Sequence, residues 1–335
     1  NNSNMNLQKR VEILQQLKKY LLDNDEEWQN FKLKAGTHNA WFLPEFIDLA
    51  VENICNLFLQ KVKLEQWVQH YHIDDNIGGK NIGVVMAGNI PMVGFHDFLC
   101  VFISGHLQTI KLSSKDDILL KHLVSKMIEW EPQTKQHIRI AEMLKGCDAY
   151  IATGSNNSAR YFESYFSKYP NIIRHNRTSA AILTGNETTV ELEALADDVH
   201  QYFGLGCRNT TQLFVPMAYD FVPLLKAFDK YKYFDGHHKY KNNYDYQLSI
   251  ALLNNVFYMT NGSILLLESN AIFSPISVLN YCFYKTEKEA LDTIQNREEL
   301  QCVCGLNKTK FGKAQAPGLM DYADGVDTMQ FLLTL

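Results

Sequence analysis

Residues 82–114 read IGVVMAGNIPMVGFHDFLCVFISGHLQTIKLSS, and the change of hydrophobic period at Ile82 decides the fold. Upstream, apolar positions recur every three or four residues in VEILQQLKKYLL (11–22) and PEFIDLAVENICNLFLQKV (44–62), and Pro44 suits a helix start. From Ile82 onward the chain carries short β-rich runs: GVVMAG (83–88), LQTIKLS (107–113), DAYIAT (148–153) and AAILT (180–184), with spacers long enough for helices. Continuous apolar strands separated by helical segments mark a parallel sheet covered on both faces. The expected class is therefore α/β, with a helical segment from about Leu7 to Tyr71 in front of it.

A second set of strands follows a helical stretch at Val190–Tyr202: QLFVP (212–216), SILLLE (263–268), VLNYCFY (278–284) and QCVCG (301–305). This predicts two α/β domains, residues 1–183 and 184–335. GHHKYKNNYDY (236–246), the most polar and aromatic tract, reads as a mobile surface loop. Lys and Arg total 32 against 37 Asp and Glu, a net charge of −5, which is a poor match to nucleic acid or an anionic membrane. The most apolar stretch, 84–103, is broken by Asn89, Pro91, His96 and Asp97, so no membrane span is expected. Seven scattered cysteines give no disulfide framework, and Cys302-x-Cys304 lacks the partners of a zinc site. Residues 1–4 read as an appended leader before Met5 without an export signal, and a reducing, cytoplasmic setting is expected.

Three constellations can carry chemistry. Asn89 follows the first strand and falls at the carboxyl edge of a parallel sheet, where open α/β folds bind ligands; its amide can donate to an oxyanion or simply shape a turn. At the end of the next strand, Lys111, Ser113 and Ser114 offer an ammonium and two hydroxyls to a nucleotide, or an exposed lysine beside a helix cap. Thr153-Gly154-Ser155 runs from strand to helix, a turn whose glycine permits close approach of a phosphate. FGLGCRN (203–209) lacks the third glycine of a dinucleotide fingerprint and follows a helix, so that reading fails. What remains is Cys207 in a glycine-flanked turn beside Arg208, a setting for a thiolate or for an inert buried cysteine.

The ordered series GNIP (88–91), KLSS (111–114), ATGS (152–155), HNRTSAAIL (175–183) and FGLGCRN, followed by QLFVP, resembles the aldehyde dehydrogenase superfamily. Within it, the chain looks like the LuxC-like acyl-CoA reductases, from about Ile82 to the end and weakly at Asn39–Phe42 and Glu65–Trp67. The resemblance implies an aldehyde-dehydrogenase-like fold and the reduction of a fatty acyl thioester to an aldehyde by NADPH, through a cysteinyl thioester. It makes Cys207 the nucleophile and Asn89, with the Cys207 backbone N–H, the oxyanion donor. It assigns Lys111 to the adenosine ribose and Thr153, Gly154 and Ser155 to the pyrophosphate side. Ser114 stands where many NAD-using members carry a ribose-binding glutamate, so a 2′-phosphate meets no carboxylate there and NADPH is the expected cofactor.

Two departures are visible. Aligning Arg177 with the lysine of the family's E-L-G-G-K string puts Ile173 in place of the base that activates water, with His175 and Asn176 replacing the glycines. That suits a reductase, and His175 becomes the candidate proton relay. AIFSP (271–275) matches E-I-F-G-P with Ala271 in place of the glutamate that holds the nicotinamide ribose. No metal is expected. The expected partners are the acyl thioester and either a second copy of the chain or an acyl-transferring subunit, although the 70–82 segment is short for the family's oligomerisation hairpin. The alternative functions are a CoA-acylating aldehyde dehydrogenase running oxidatively on short chains and a non-catalytic acyl-binding scaffold.

Overall fold

The computed structural model describes residues 5–75, 79–295 and 297–335. The leader reading of 1–4 and the middle of the 70–82 segment lie outside them. The N-terminal helices Leu7–Asp23 and Glu26–His38 begin at Asn6 and Asp25, whose side chains accept from the N–H groups of Lys9 and Trp28. Such caps satisfy donors that the helix itself leaves open. Pro44 takes the first position of the helix Pro44–Asn53, where its missing N–H costs nothing.

Strands β1 (Asn81–Val85), β2 (Leu107–Lys111), β3 (Ile138–Ile140), β4 (Ala149–Thr153) and β5 (Asn171–Arg174) form a parallel sheet in the order β3-β2-β1-β4-β5. The helix between β1 and β2 is Phe95–Ser104, buried all round, as its lack of charge beyond Asp97 requires. Strand β1 ends at Val85 and this helix starts at Phe95. Residues 86–94 therefore form a longer turn, in which Met92 adopts φ +52°.

Strands β6 (Thr178–Ile182), β7 (Thr210–Pro216), β8 (Tyr258–Thr260), β9 (Leu265–Glu268), β10 (Val278–Tyr284) and β11 (Leu300–Cys304) form the second sheet, ordered β11-β6-β7-β10-β9-β8. Only β8 runs antiparallel, against β9. Strand β7 is buried along nearly its whole length, as a central strand should be, and the amide of its one long polar residue, Gln212, donates to the Ser269 carbonyl at 3.1 Å.

The chain divides into two compact units, one ending at Asn176 and completed by Pro317–Leu335, the other Arg177–Ala316. The expected division after residue 183 therefore moves back, because β6 pairs with β7. The C-terminal return belongs to the first unit instead of the second: His106 Nε2 lies 2.8 Å from the Leu332 carbonyl, and Trp67 Nε1 donates to Tyr322 at 2.9 Å. The tract 236–246 is not a loop. It opens the helix His238–Leu253, because Tyr240 and Tyr244, one turn apart, are both buried. Among the described residues no helix is long and apolar enough to cross a membrane.

Candidate active site

In the first sheet the strand order reverses between β1 and β4, so the turns after these strands flank the crevice where open α/β sheets take their ligands. Asn89 lies in the β1 turn and Thr153, Gly154 and Ser155 leave β4. The β1 and β2 ends are fastened to each other: Val85 pairs with Lys111, and Met86 N–H donates to the Lys111 carbonyl at 3.0 Å. Gly88 sits so close to the β2 turn that a Cβ there would lie 2.5 Å from Ser113 Oγ. Only glycine fits.

Lys111 and Ser114 are exposed. Ser113 is partly buried, and its hydroxyl accepts from Lys115 N–H at 3.2 Å, which shapes the turn. The sequence reading missed the N-terminal contribution here: His38 Nε2 lies 2.8 Å from the Ser114 carbonyl, and Asn39 Nδ2 donates to the Lys115 carbonyl at 3.1 Å. After β4, Ser155 caps the helix Asn156–Phe166 by accepting from Ser158 N–H. A Cβ on Gly154 would come within 2.9 Å of Ser158 Cβ and 3.0 Å of the Phe162 ring. Below this edge, buried Arg174 binds the Asp97 carboxylate and donates to Thr328 at 2.9 Å, tying β5, the 95–104 helix and the C-terminal return together. His175 is half-exposed, with Nε2 3.5 Å from Glu163 Oε1. The structure thus brings Asn89, Lys111, Ser113, Ser114, Thr153, Gly154, Ser155 and His175 to one end of the first sheet, and Cys207 stands in the second unit.

The Cys207 turn is built differently. The helix Thr189–His200, opened by a capping box of Thr188 and Glu191, gives way to three successive left-handed residues, Tyr202 and Phe203 at φ +55° and Gly204 at +74°. For Tyr and Phe this backbone is strained by about 1 kcal/mol or more each. Burial of both rings holds them, with the Phe203 ring centroid 4.5 Å from that of Phe234. Asn209, fully buried, then closes the turn: Nδ2 donates to the Gln201 carbonyl at 2.8 Å and the Asp198 carbonyl at 3.1 Å, and Oδ1 accepts from Gly206 N–H at 2.8 Å. Ser179 Oγ of β6 donates to the Cys207 carbonyl at 3.2 Å. Cys207 is presented half-buried at the head of β7. The signal for Asn209 was a lone amide directly before an apolar strand, where turn residues gather.

Of the other six cysteines five are buried, and Cys282 lies within a strand. Burial pushes the Cys55 thiol up to about 11 and raises Cys100, Cys147 and Cys282. Cys282 is partly exposed but sits within β10, hydrogen-bonded by Gln212 at 3.2 Å. Cys302 and Cys304 alternate on β11 and are both buried. The hydrogen bond from Cys304, then Thr309 and the charge of Arg208, bring Cys302 down, while the same bond and burial raise Cys304. No group of three or more His, Cys, Asp or Glu among the described residues is placed to hold a metal ion.

This fold is that of the aldehyde dehydrogenases. The chain superposes on an aldehyde dehydrogenase from Physcomitrella patens solved with the reaction product succinate at a TM-score of 0.68, with 14% identity, covering 87% of this chain and 71% of that one. An NAD-dependent aldehyde dehydrogenase from Sinorhizobium meliloti gives a TM-score of 0.65 at 11% identity, covering 93% and 72%. An E. coli NADP-dependent enzyme gives 0.65 at 12%, covering 87% and 71%. No protein-family model and no curated protein sequence matches the chain.

Proposed function

We propose that this chain is an oxidoreductase that reduces acyl thioesters, acyl-CoA foremost, to aldehydes with NADPH, through a covalent intermediate on Cys207. Cys207 carries the proposal: of seven cysteines it alone combines partial exposure with a clamped turn at the head of a central strand. The first unit's edge suits a dinucleotide, since Gly88 and Gly154 let the turns pack closely, and the Lys111 ammonium and the hydroxyls of the turns after β2 and β4 stand on either side of the β1 turn at the switch point. Lys111, Ser113 and Ser114 would hold the adenosine ribose and its 2′-phosphate, and Thr153, Gly154 and Ser155 the pyrophosphate. Bound there, the reduced nicotinamide supplies the hydride.

The remaining work falls to side chains. The Cys207 thiolate attacks the thioester carbonyl, its sulfur bonding to carbon while the C–S bond to coenzyme A breaks, and the thiol of coenzyme A leaves. Asn89 and the Cys207 backbone N–H stabilise the oxyanion of that step. Ile173 offers no base to activate water, so the acyl-enzyme is spared hydrolysis while it awaits reduction. His175, oriented by Glu163, hands a proton to the departing thiolate or the aldehyde oxygen. Release of aldehyde returns the Cys207 thiolate.

The test is NADPH oxidation by the purified protein with short, medium and long acyl-CoA, with NADH and Cys207→Ala in parallel. Turnover with one chain-length class is expected, falling at least about 10⁴-fold in the alanine variant while NADPH still binds. Turnover that survives Cys207→Ala, or equal use of NADH at low concentration, overturns the nucleophile or the cofactor assignment respectively.

A further inference from the structure

The loop 113–117 makes contacts in three directions. Its Ser114 and Lys115 carbonyls meet His38 and Asn39 of the N-terminal segment, Ser113 Oγ packs against Gly88, and Asp116 reaches the turn that carries Asn89. Asp116 Oδ2 accepts from Met92 N–H at 2.6 Å, three residues beyond Asn89. Met92 is held at φ +52°, a conformation that non-glycine residues seldom adopt and that needs an external tie. Asp116 itself is only 8% exposed, and its other oxygen has no hydrogen-bond partner. A buried carboxyl oxygen placed on one backbone N–H anchors it, because a buried donor left without an acceptor is costly.

We infer that Asp116 is a positioning residue: it fixes the Asn89 turn to the loop that carries Ser113 and Ser114, so that the oxyanion donor and the cofactor ribose site are held as one piece. The inference rests on the roles proposed above for Asn89 and Ser114. Asp116 touches neither substrate nor cofactor in this scheme and acts through Met92. Burial, joined by the charge of Asp117, pushes the Asp116 carboxyl up to about 7 against the pull of the Met92 N–H, as expected of a carboxyl kept buried for its acceptor oxygen.

Four proteins test it: Asn89→Ala, Asp116→Leu, Asp116→Asn and the Asn89→Ala/Asp116→Leu double variant, each confirmed folded by its melting curve. Two quantities are read: hydrogen exchange at the Met92 amide, and the rate at which octanoyl-CoA acylates Cys207 without cofactor, followed by mass spectrometry. In Asp116→Leu, Met92 exchange is expected to accelerate more than about tenfold and acylation to fall about tenfold, with the NADPH dissociation constant changed by less than about threefold. Asp116→Asn, which keeps the acceptor oxygen, restores both to within about threefold of wild type. Asn89→Ala loses about a hundredfold, and the double variant loses no more than Asn89→Ala alone. An Asp116→Leu protein with wild-type acylation, or a double variant whose losses multiply, overturns the inference while leaving the role of Asn89 intact. Wild-type acylation in Asn89→Ala overturns the reading of Asn89 and the catalytic meaning of its anchor, whatever Met92 exchange shows.

Discussion

At the end of the first sheet, Lys111, Ser114 and Ser155 are exposed and their positions are set by backbone ties, caps and two glycines that let neighbouring turns touch. Around Cys207 the order is inverted: the proposed nucleophile is half-buried, and a fully buried amide, Asn209, gathers the backbone from Gln201 to Gly206 beneath it. The first plan suits a ligand that arrives with many polar atoms and needs hydrogen-bonding surface. The second suits a single atom whose place must be fixed through a covalent reaction, which requires a supporting shell that does not relax. The two regions should therefore respond differently to substitution, the first in binding preference and the second in stability and rate together.

The strongest way to break this contrast is Asn209→Ala. It strands buried carbonyls and the Gly206 N–H, and is expected to lower the unfolding free energy by about 3–4 kcal/mol and to abolish selective alkylation of Cys207. A variant with wild-type denaturant midpoint would show that the turn does not depend on the clamp. Next is the buried His200, stacked on Tyr231 at 4.8 Å, whose imidazole is pushed down to about 4 by burial. The folded state then binds fewer protons than the unfolded chain below the ordinary histidine range. Its contribution is complete above pH ~6.5 and is lost as pH falls through 4, by up to about 3 kcal/mol. Chemical denaturation of wild type and His200→Phe from pH 7 to 4 should show a flatter decline in the variant.

On the proposed cofactor side, Ser114→Glu is expected to move the NADPH/NADH preference about thirtyfold toward NADH, read as the ratio of kcat/KM, with no change in melting temperature. A stability loss without a change of preference would place Ser114 outside the ribose site. The smallest effect is expected from His175→Gln, about a tenfold drop in kcat, because water can reach a half-exposed position and take over part of a proton transfer. Unchanged turnover would leave His175 only its exposed pairing with Glu163.

Most of the architecture was legible because it rests on local signals. Apolar runs at 83–88, 148–153 and 212–216 became β1, β4 and β7, and Pro44 and Ser155 marked helix starts. The 236–246 tract misled because its polarity is all on the outside: Tyr240 and Tyr244 are the buried pair, and only the helix Phe234 and Phe203 pack against shows that. The domain division was misplaced for a similar reason. Thr178–Ile182 looks like any parallel strand until its partner is known, and pairing is a long-range property. The candidate residues were proposed from residue type, order and the family resemblance, whereas the residues that support them were not singled out. Asn209, Asp116 and His38 act on backbone atoms up to 76 residues away, and nothing in a single sequence announces such a partner.

The passage of the chain out of the first unit at Asn176 and back at Pro317 also bears on its synthesis. The second unit is one uninterrupted stretch and can close as soon as it has left the ribosome. The first must wait for the helix Thr328–Leu333, since Arg174 and His106 find Thr328 and the Leu332 carbonyl only then. Until residues 328–333 have been made, the end of the first sheet therefore lacks these two ties, and that interval is when this unit has most need of a chaperone.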